Sequence, residues 1–188
     1  PSTGWHASFA DVNNDGRADL FIAKGNVDQM PGMAMRDPNN LLIQGEDGRF
    51  TEVGDTAGVA DIARSRGAAL ADFDGDGLLD LAVVNRRAPM RMYRNVTPEA
   101  GRFVRIAVRG AGGNRFAVGA RVIVTVGDAV QSQQITIGGG HAGAVLAPLH
   151  FGIGDAAEAT VQVRWPDGTQ SDPMRVTAGD QITVTQPD

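Results

Sequence analysis

The sequence contains no cysteine among its 188 residues. Disulfide bonds, thiolate metal sites and thiol catalysis are therefore excluded, while the compartment stays open because many bacterial secreted proteins also lack cysteine. No run of about 18 apolar residues is present, so the sequence predicts no membrane span. The first residues, "PSTGWHASFA", contain neither an initiator Met nor a signal sequence, and we expect a trimmed piece of a longer protein.

Clusters of basic residues and helical periodicity are also lacking. The formal net charge is -5 and the 17 Lys and Arg residues are dispersed, so we do not expect nucleic acid as a partner. No stretch of ten or more residues without Gly or Pro places apolar side chains at i, i+3, i+4 and i+7. Apolar and polar residues alternate with a period of two instead, as in residues 104–109 and 160–165, so the chain is predicted to be all-β.

The first half of the chain repeats itself. The segment "WHASFADVNNDGRADLFIAKG" aligns with "RGAALADFDGDGLLDLAVVN", and Asp72 follows Asp11 by 61 residues. A period of this length indicates a stacked or radial architecture. The first repeat contains four predicted strands, as a propeller blade does, at about 5–10, 19–24, 40–44 and 49–53. The second repeat contains three clear strands, near 66–71, 79–84 and 90–94, and its fourth strand cannot be identified.

The pattern changes at "NVTPEAGR", roughly residues 95–102. Residues 1–97 contain the acidic repeats, whereas residues 98–188 continue as alternating strands with turns at "GD" and "PDG" and without an acidic loop. That pattern is typical of meanders and sandwiches of antiparallel strands. We therefore predict a partial β-propeller of about two four-stranded blades, followed by a small β-sandwich domain.

Two nine-residue stretches share one unusual spacing. "DVNNDGRAD" (11–19) and "DFDGDGLLD" (72–80) place acidic or amide side chains at positions 1, 3, 5 and 9 and glycine at position 6. Oxygen ligands at these positions, with the backbone carbonyl of position 7, meet the needs of calcium. The sequence therefore predicts two calcium ions. The ligands are Asp11, Asn13, Asp15, the Arg17 carbonyl and Asp19 in the first loop, and Asp72, Asp74, Asp76, the Leu78 carbonyl and Asp80 in the second.

An ordinary surface turn rich in Asp, Asn and Gly is the alternative interpretation of these loops. Two loops with matching spacing and matching flanking strands favour the metal. An EF-hand would need a Glu at position 12, where the two loops have Ile22 and Val83 in predicted strands, so these are strand–loop–strand sites. The second loop offers four carboxylates and the first offers three and Asn13, so we expect tighter binding in the second.

Both halves of the chain resemble known families. "FADVNNDGRADLFIAKG" and "LADFDGDGLLDLAVVN" resemble the calcium loops of FG-GAP/VCBS repeats in integrin-type β-propellers. The segments from "GNRFAVGARVIVTV" through "LHFGIGDA" to "VQVRWPDGT" resemble the ASPIC/UnbV domain that ends proteins of the cartilage acidic protein family. The resemblance implies a secreted or cell-surface calcium-binding protein, extracellular or periplasmic in a bacterium, with no established catalytic role for either module.

We therefore expect a calcium-stabilised interaction or adhesion module whose partner is a protein or a surface polysaccharide. The alternative is the C-terminal accessory region of a larger extracellular enzyme. Propellers close with several blades. The open sheets of a two-blade piece are therefore expected to be covered by further blades of a longer chain or by neighbouring copies.

Signals of catalysis or cofactor binding are weak. "GIGDAA" at 152–157 fits a dinucleotide fingerprint only superficially, because an alternating strand pattern follows it where a helix is required. No GxSxG motif or obvious acid–base pair is present, so we do not expect an enzyme. Three histidines without metal-binding spacing are expected to have structural or surface roles, namely His6, His141 and His150.

Overall fold

The structure is a computed structural model that describes residues 3–27, 32, 34–141 and 143–187. Within these ranges the regular secondary structure consists of strands, which confirms the all-β prediction. None of the described residues belongs to a helix with the length and apolar character that crossing a membrane requires.

The chain divides into two compact units. Unit 1 comprises Pro1–Val12, Arg17–Val96 and Gly138–Val145, and unit 2 comprises Asn13–Gly16, Thr97–Ile137 and Leu146–Asp188. The main division therefore falls between Val96 and Thr97. Two short segments are exceptions to this division. Asn13–Gly16 from the first half of the chain belongs to unit 2, and Gly138–Val145 from the second half belongs to unit 1. Nothing in the local sequence pattern predicts either assignment.

The strands of unit 1 form hairpin-built antiparallel sheets. They are β1 (Gly4–Ala10), β2 (Asp19–Lys24), β3 (Asp37–Pro38), β4 (Asn40–Gln44), β5 (Phe50–Glu52), β6 (Ile62–Ala63), β7 (Ser65–Ala71), β8 (Asp80–Asn85) and β9 (Arg91–Tyr93). The first sheet has the order β1-β2-β4-β5, the second has the order β7-β8-β9, and β3 pairs with β6. The first repeat thus forms the predicted four-stranded blade. The second forms three strands, and the described residues provide no fourth strand for it.

The two blades of unit 1 stack face to face through one hydrophobic cluster. The first sheet contributes Phe21, Ala23 and Leu41, and the second sheet contributes a row of aliphatic residues and Tyr93. The first strands of the two sheets, β1 and β7, also contact each other. The packing of one repeat's sheet on the next agrees with the stacked or radial architecture that the repeat length indicates.

Unit 2 is the predicted β-sandwich. Its strands are β10 (Arg102–Arg109), β11 (Arg121–Val126), β12 (Ala129–Gln134), β13 (Leu149–Gly154), β14 (Glu158–Arg164), β15 (Met174–Thr177) and β16 (Gln181–Thr185). They form one sheet of order β13-β10-β16 and another of order β12-β11-β14-β15. Alternate residues of the central strands are buried, because one side of each sheet faces the shared core. Val104, Ile106, Val122, Val124, Val161 and Val163 lie in that core.

One strand pair departs from the antiparallel expectation. Strand β16 runs parallel to β10, with Ile106 opposite Ile182 and Val108 opposite Val184. A parallel neighbour cannot be reached by a tight turn and needs a long crossover connection. The segment between β10 and β16 contains all the other strands of the sandwich, so no local turn signal could have predicted this pair.

Candidate metal centre

Each acidic loop closes an antiparallel hairpin. The last pair of β1 and β2 is Ala10 with Asp19, and the last pair of β7 and β8 is Ala71 with Asp80. The ninth position of each loop is therefore also the first residue of a strand. This pairing fixes one carboxylate of each loop on a sheet before any ion binds.

The backbone of both loops visits the left-handed region at the same two positions. At position 6, Gly16 has φ 86° and Gly77 has φ 93°. At position 4, Asn14 has φ 59° and Gly75 has φ 82°. Glycine adopts this conformation without a Cβ penalty, and asparagine tolerates it better than most residues. The spacing recognised in the sequence thus corresponds to a shared backbone path.

In the second loop, backbone N–H groups hold the first two aspartates toward the inside of the turn. Asp72 Oδ1 accepts from the N–H of Gly75 at 2.7 Å, and Asp72 Oδ2 accepts from that of Gly77 at 2.9 Å. Asp74 Oδ1 accepts from the N–H of Asp76 at 3.2 Å. These hydrogen bonds orient the carboxylates at little cost in side-chain freedom on metal binding.

Asp80 is the most buried carboxylate of the second loop. It is 4% exposed, and its Oδ2 accepts from the N–H of Phe73 at 3.0 Å while its Oδ1 accepts from that of Asn95 at 2.8 Å. A buried charge of this kind needs compensation. The two N–H donors provide part of it, and a cation would provide more.

Three aspartates of the second loop converge. One carboxylate oxygen from each of Asp72, Asp74 and Asp80 lies within 4.8 Å of the others. In the part of the chain that the structure describes, no other group of three or more acidic or histidine side chains brings its ligand atoms this close together. Such a set of hard oxygen atoms suits calcium or magnesium rather than a soft metal.

Arg94 is a residue of this loop environment that sequence reasoning missed. Its Nε lies 2.7 Å from Asp74 Oδ2 and its Nη2 lies 3.0 Å from Asp76 Oδ2, although the Arg94 side chain is 65% exposed. The N–H of Leu78 and the guanidinium together lower the pKa of Asp76 below its ordinary value, and the bond to Asp76 raises the pKa of Arg94. In the sequence, Arg94 was only the last residue of the predicted strand near 90–94, and the structure ends β9 at Tyr93.

The first loop repeats part of this arrangement in unit 1. The buried Asp19 accepts from the N–H of Val12 at 3.0 Å through Oδ2 and from that of Gln44 at 2.9 Å through Oδ1, as Asp80 does in the second loop. Arg17 Nε donates to the Gln44 carbonyl at 3.1 Å. Asp11 is also buried. The position 9 carboxylate is therefore held in the same way in both repeats.

The tip of the first loop, residues 13–16, belongs to unit 2. Within the tip, Asn13 Nδ2 donates to Asp15 Oδ2 at 2.9 Å. The backbone N–H of Gly101 donates to the Asn13 carbonyl at 2.9 Å. The converging group of acidic side chains among the described residues contains none of the predicted ligands of the first loop. These are Asp11, Asn13, Asp15, the Arg17 carbonyl and Asp19. Calcium binding at the first loop therefore stays a prediction from the spacing.

The buried Asn14 connects the tip to the rest of unit 2. Its carbonyl accepts from the N–H of Gly154 at 2.9 Å, its Nδ2 donates to the Gly101 carbonyl at 3.2 Å, and its Oδ1 lies 2.7 Å from His150 Nε2. His150 also stacks on Phe103 with ring centroids 5.3 Å apart. This histidine therefore has a structural place, as expected from its lack of metal-binding spacing.

The other two histidines lie in unit 1. His6 is buried on β1, and a Cβ added at Gly140 would lie 2.1 Å from its Nδ1. His141 packs its ring against Trp5 with centroids 4.9 Å apart. Neither histidine contributes to the acidic group.

Comparison with known proteins finds a family match for each part of the chain. The family described as FG-GAP-like repeat matches residues 11–83, and the family described as ASPIC and UnbV matches residues 110–188. The first match contains both acidic loops.

The relatives found share the name cartilage acidic protein 1. The chain is 28% identical to the Mus musculus protein over 163 residues, which are 85% of this chain and 25% of that protein. The Homo sapiens protein is 28% identical over 163 residues, 85% of this chain and 24% of that protein. The Xenopus tropicalis protein is 31% identical over 109 residues, 56% of this chain and 17% of that protein. The chain thus spans about a quarter of the length of the first two relatives. The chain thus resembles FG-GAP-like repeats in its first half and the ASPIC and UnbV family in its second half, and over most of its length it is similar to cartilage acidic protein 1.

Proposed function

We propose that the chain is a calcium-binding interaction module in which calcium stabilises the repeat loops. The observation that carries this proposal is the convergence of Asp72, Asp74 and Asp80 in a loop closed by a strand pair. Three carboxylates at this distance repel one another. A divalent cation removes that repulsion and ties the two strands of the hairpin together.

The donor set fits calcium. Asp72, Asp74 and Asp80 would hold the ion with carboxylate oxygens, and Asp76 and the Leu78 carbonyl would complete the set predicted from the spacing. Calcium accepts six to eight oxygen ligands in flexible geometry, so a short loop with several carboxylates and a carbonyl suits it better than magnesium. The same spacing supports a second ion in the first loop, held by Asp11, Asn13, Asp15, the Arg17 carbonyl and Asp19.

The proposal assigns binding rather than catalysis to the chain, with a protein or a surface polysaccharide as the partner. It also places the protein outside the cell or at the cell surface. Calcium sites of extracellular modules commonly have dissociation constants of about 10⁻⁴–10⁻³ M. A site of that affinity fills only where free calcium reaches that range, as it does outside the cell, so the proposed location and the proposed affinity belong together.

Calcium titration of the metal-stripped protein tests the proposal. Isothermal titration calorimetry is expected to detect two sites in the wild-type chain, and Asp72→Asn is expected to weaken the second-loop site at least about tenfold. The matched control is Asp47→Asn, which makes the same charge change at an exposed turn residue paired with Arg49. The control is expected to bind calcium like the wild type.

Thermal unfolding provides a second readout of the same proposal. Calcium at about 100 times its dissociation constant stabilises a folded protein by about 2.7 kcal/mol per site when the unfolded chain does not bind it. The melting temperature of the wild type is therefore expected to rise with calcium, and that of Asp72→Asn to rise less. Absence of calcium binding up to about 10 mM, or equal binding by Asp72→Asn, would contradict the proposal.

A further inference from the structure

The fold gathers arginines that the sequence disperses. In unit 1, a cavity of about 180 Å³ lies beside the turn between β8 and β9 and the pair of short strands β3 and β6. Among the described residues that line it, one is acidic and five are arginines, in a chain whose formal net charge is -5. The acidic residue is Asp61, and the arginines are Arg36, Arg64, Arg86, Arg87 and Arg91. We call this cavity the arginine pocket.

Four of the five arginines have no acidic partner in the described part of the chain. Arg91 pairs with Asp61, with 3.3 Å between its Nε and the carboxylate Oδ2. No ion pair joins a described carboxylate to the other four arginines. The pocket therefore carries positive charge that a bound anion would neutralise.

A sixth arginine adds to this charge from inside unit 1. Arg66 is 8% exposed, and its guanidinium donates to neutral carbonyls, those of Ser65 at 2.7 Å and Asn26 at 2.8 Å. Burial is the main cause that lowers the pKa of Arg66, and the charges of Arg86 and Arg64 lower it further. A neighbouring like charge has this effect where it is close enough to repel the cation. Arg66 and the arginine pocket thus form one region of positive potential.

Backbone contacts fix the turn that carries two of these arginines. The N–H of Arg86 donates to the Arg64 carbonyl at 2.9 Å, and Asn85 Nδ2 donates to the Pro89 carbonyl at 3.1 Å. Arg87 has φ 55°, in the left-handed region that favours glycine. The turn therefore holds an arginine where a glycine would be under less strain. Because the turn is fixed before a ligand arrives, less order has to be gained on binding.

A larger cavity of about 390 Å³ adjoins the arginine pocket. Asp61 and Arg91 line both cavities, so the two meet at this ion pair. Asp55 and Tyr93 also line the larger one, which we call the polar cavity. Burial, followed by the charge of Asp61, raises the pKa of Tyr93, so the phenol keeps its proton and can donate a hydrogen bond. The polar cavity therefore offers a hydroxyl donor and two carboxylate acceptors.

The two cavities together match one kind of ligand. Guanidinium groups bind carboxylate and sulfate oxygens with paired, charge-assisted hydrogen bonds. Carboxylates and a phenol bind hydroxyl groups, as acceptors and as a donor. The arginine pocket is smaller than the about 300–1,000 Å³ of sites that enclose a whole ligand, so it takes one charged group. A sugar residue that carries an oxyanion combines such a group with several hydroxyls.

We propose that the two cavities bind one acidic sugar residue of a polysaccharide, with its carboxylate or sulfate group in the arginine pocket and its hydroxyl groups in the polar cavity. The proposal specifies the chemistry of the polysaccharide partner and rests on that part of the proposed function. It does not rest on calcium, because the six residues of β8, which span about 20 Å, separate the turn at 86–90 from the acidic loop at 72–80.

Titration of the calcium-loaded protein with sodium glucuronate tests the proposal. In ¹H–¹⁵N NMR spectra at constant ionic strength, backbone amides within residues 61–64 and 86–93 are expected to shift until they saturate. Glucose, which lacks the carboxylate, is the neutral control and is expected to shift them far less. Glucose 6-sulfate carries a sulfate ester instead, and the tighter of the two acidic sugars identifies the oxyanion that the pocket prefers.

Substitutions assign the binding to the two cavities. Arg64→Gln and Arg87→Gln are each expected to weaken glucuronate binding by about fivefold, because each removes a charge-assisted donor from a partly exposed site. Arg115→Gln removes the same charge at an exposed position of unit 2 and is the matched control, expected to bind like the wild type. Tyr93→Phe is expected to weaken glucuronate binding and to leave the binding of inorganic sulfate unchanged. The spectrum of each variant also shows whether it is folded.

Four results would overturn the proposal. Neither acidic sugar produces saturable shifts, glucose shifts the same amides equally, or Arg115→Gln weakens binding as much as Arg87→Gln. The fourth is tighter binding of N-acetylaspartate amide than of both acidic sugars, which would indicate an acidic peptide of a protein partner. Calorimetry of the same samples measures calcium binding separately, so a chain that binds calcium but neither sugar overturns this proposal and leaves calcium binding standing.

Discussion

Replacing Arg94 with Gln is expected to tighten calcium binding at the second loop. The guanidinium contacts Asp74 and Asp76 at 2.7 Å and 3.0 Å, and both aspartates belong to the predicted ligand set. Calcium must therefore displace Arg94 from these oxygens or bind beside its positive charge. Either case opposes binding, and glutamine removes the charge while keeping a polar side chain.

The size of the effect follows from the exposure of the pair. The Arg94 side chain is 65% exposed, so water and salt screen its contacts strongly. Exposed ion pairs of this kind change an equilibrium constant by about 1.5- to 5-fold each. We therefore expect the calcium dissociation constant of Arg94→Gln to fall by about threefold at 0.15 M salt, and by less at 0.5 M salt because screening increases.

Arg91→Gln is the matched control for this change. Arg91 lies three residues before Arg94 and pairs with Asp61 at 3.3 Å with a similarly exposed side chain, so the substitution removes the same charge outside the loop. Calorimetric titration of both variants is expected to separate them. If Arg94→Gln weakens calcium binding instead, the guanidinium positions the ligands rather than competing with the ion, and the reasoning fails.

Three further expectations follow from the structure. The variant Asp15→Ala, which keeps the second loop intact, should retain a tighter calcium site than Asp76→Ala. We expect a difference of about tenfold in dissociation constant, because the second loop offers one more carboxylate. The opposite ranking in calorimetry would show that loop geometry outweighs carboxylate number. Phe21→Ala should destabilise unit 1 by about 3–5 kcal/mol in urea unfolding, because the removal of this side chain leaves a cavity. Phe21 is 1% exposed and lies in the cluster between the two sheets. A loss of stability under about 1 kcal/mol would contradict that packing. Burial lowers the pKa of His6 from its ordinary value of 6.5, so the folded state disfavours the protonated imidazole. The stability that the neutral His6 contributes should be fully present above about pH 6.5 and should decrease as the pH falls toward the folded pKa. In unfolding measurements at several pH values, His6→Gln should flatten that decrease, and an unchanged slope would refute the expectation.

The features predicted well from the sequence are those encoded by neighbouring residues. The predicted strands at 5–10, 19–24 and 40–44 match β1, β2 and β4 to within a residue, because alternation and hairpin turns are local properties. The glycine at position 6 of each acidic loop was visible in the same way, and Gly16 and Gly77 adopt the left-handed conformation there.

The features that were missed depend on contacts between distant residues. The parallel pairing of β16 with β10 and the grouping of residues 138–145 with unit 1 join segments far apart in the chain. The glycine run in that segment has a reason only in the fold, where a Cβ at Gly140 would collide with His6. Arg94 likewise lies 18 residues from Asp76, and a nine-residue spacing pattern cannot include it.

A crystal structure grown in millimolar calcium, with anomalous diffraction to identify the ion, is the most direct test of the metal assignment. We expect a calcium peak in each acidic loop with oxygen neighbours at about 2.3–2.6 Å, including carboxylate oxygens of Asp72, Asp74 and Asp80 in the second. Water-like density at longer distances and no anomalous signal among these aspartates would contradict it.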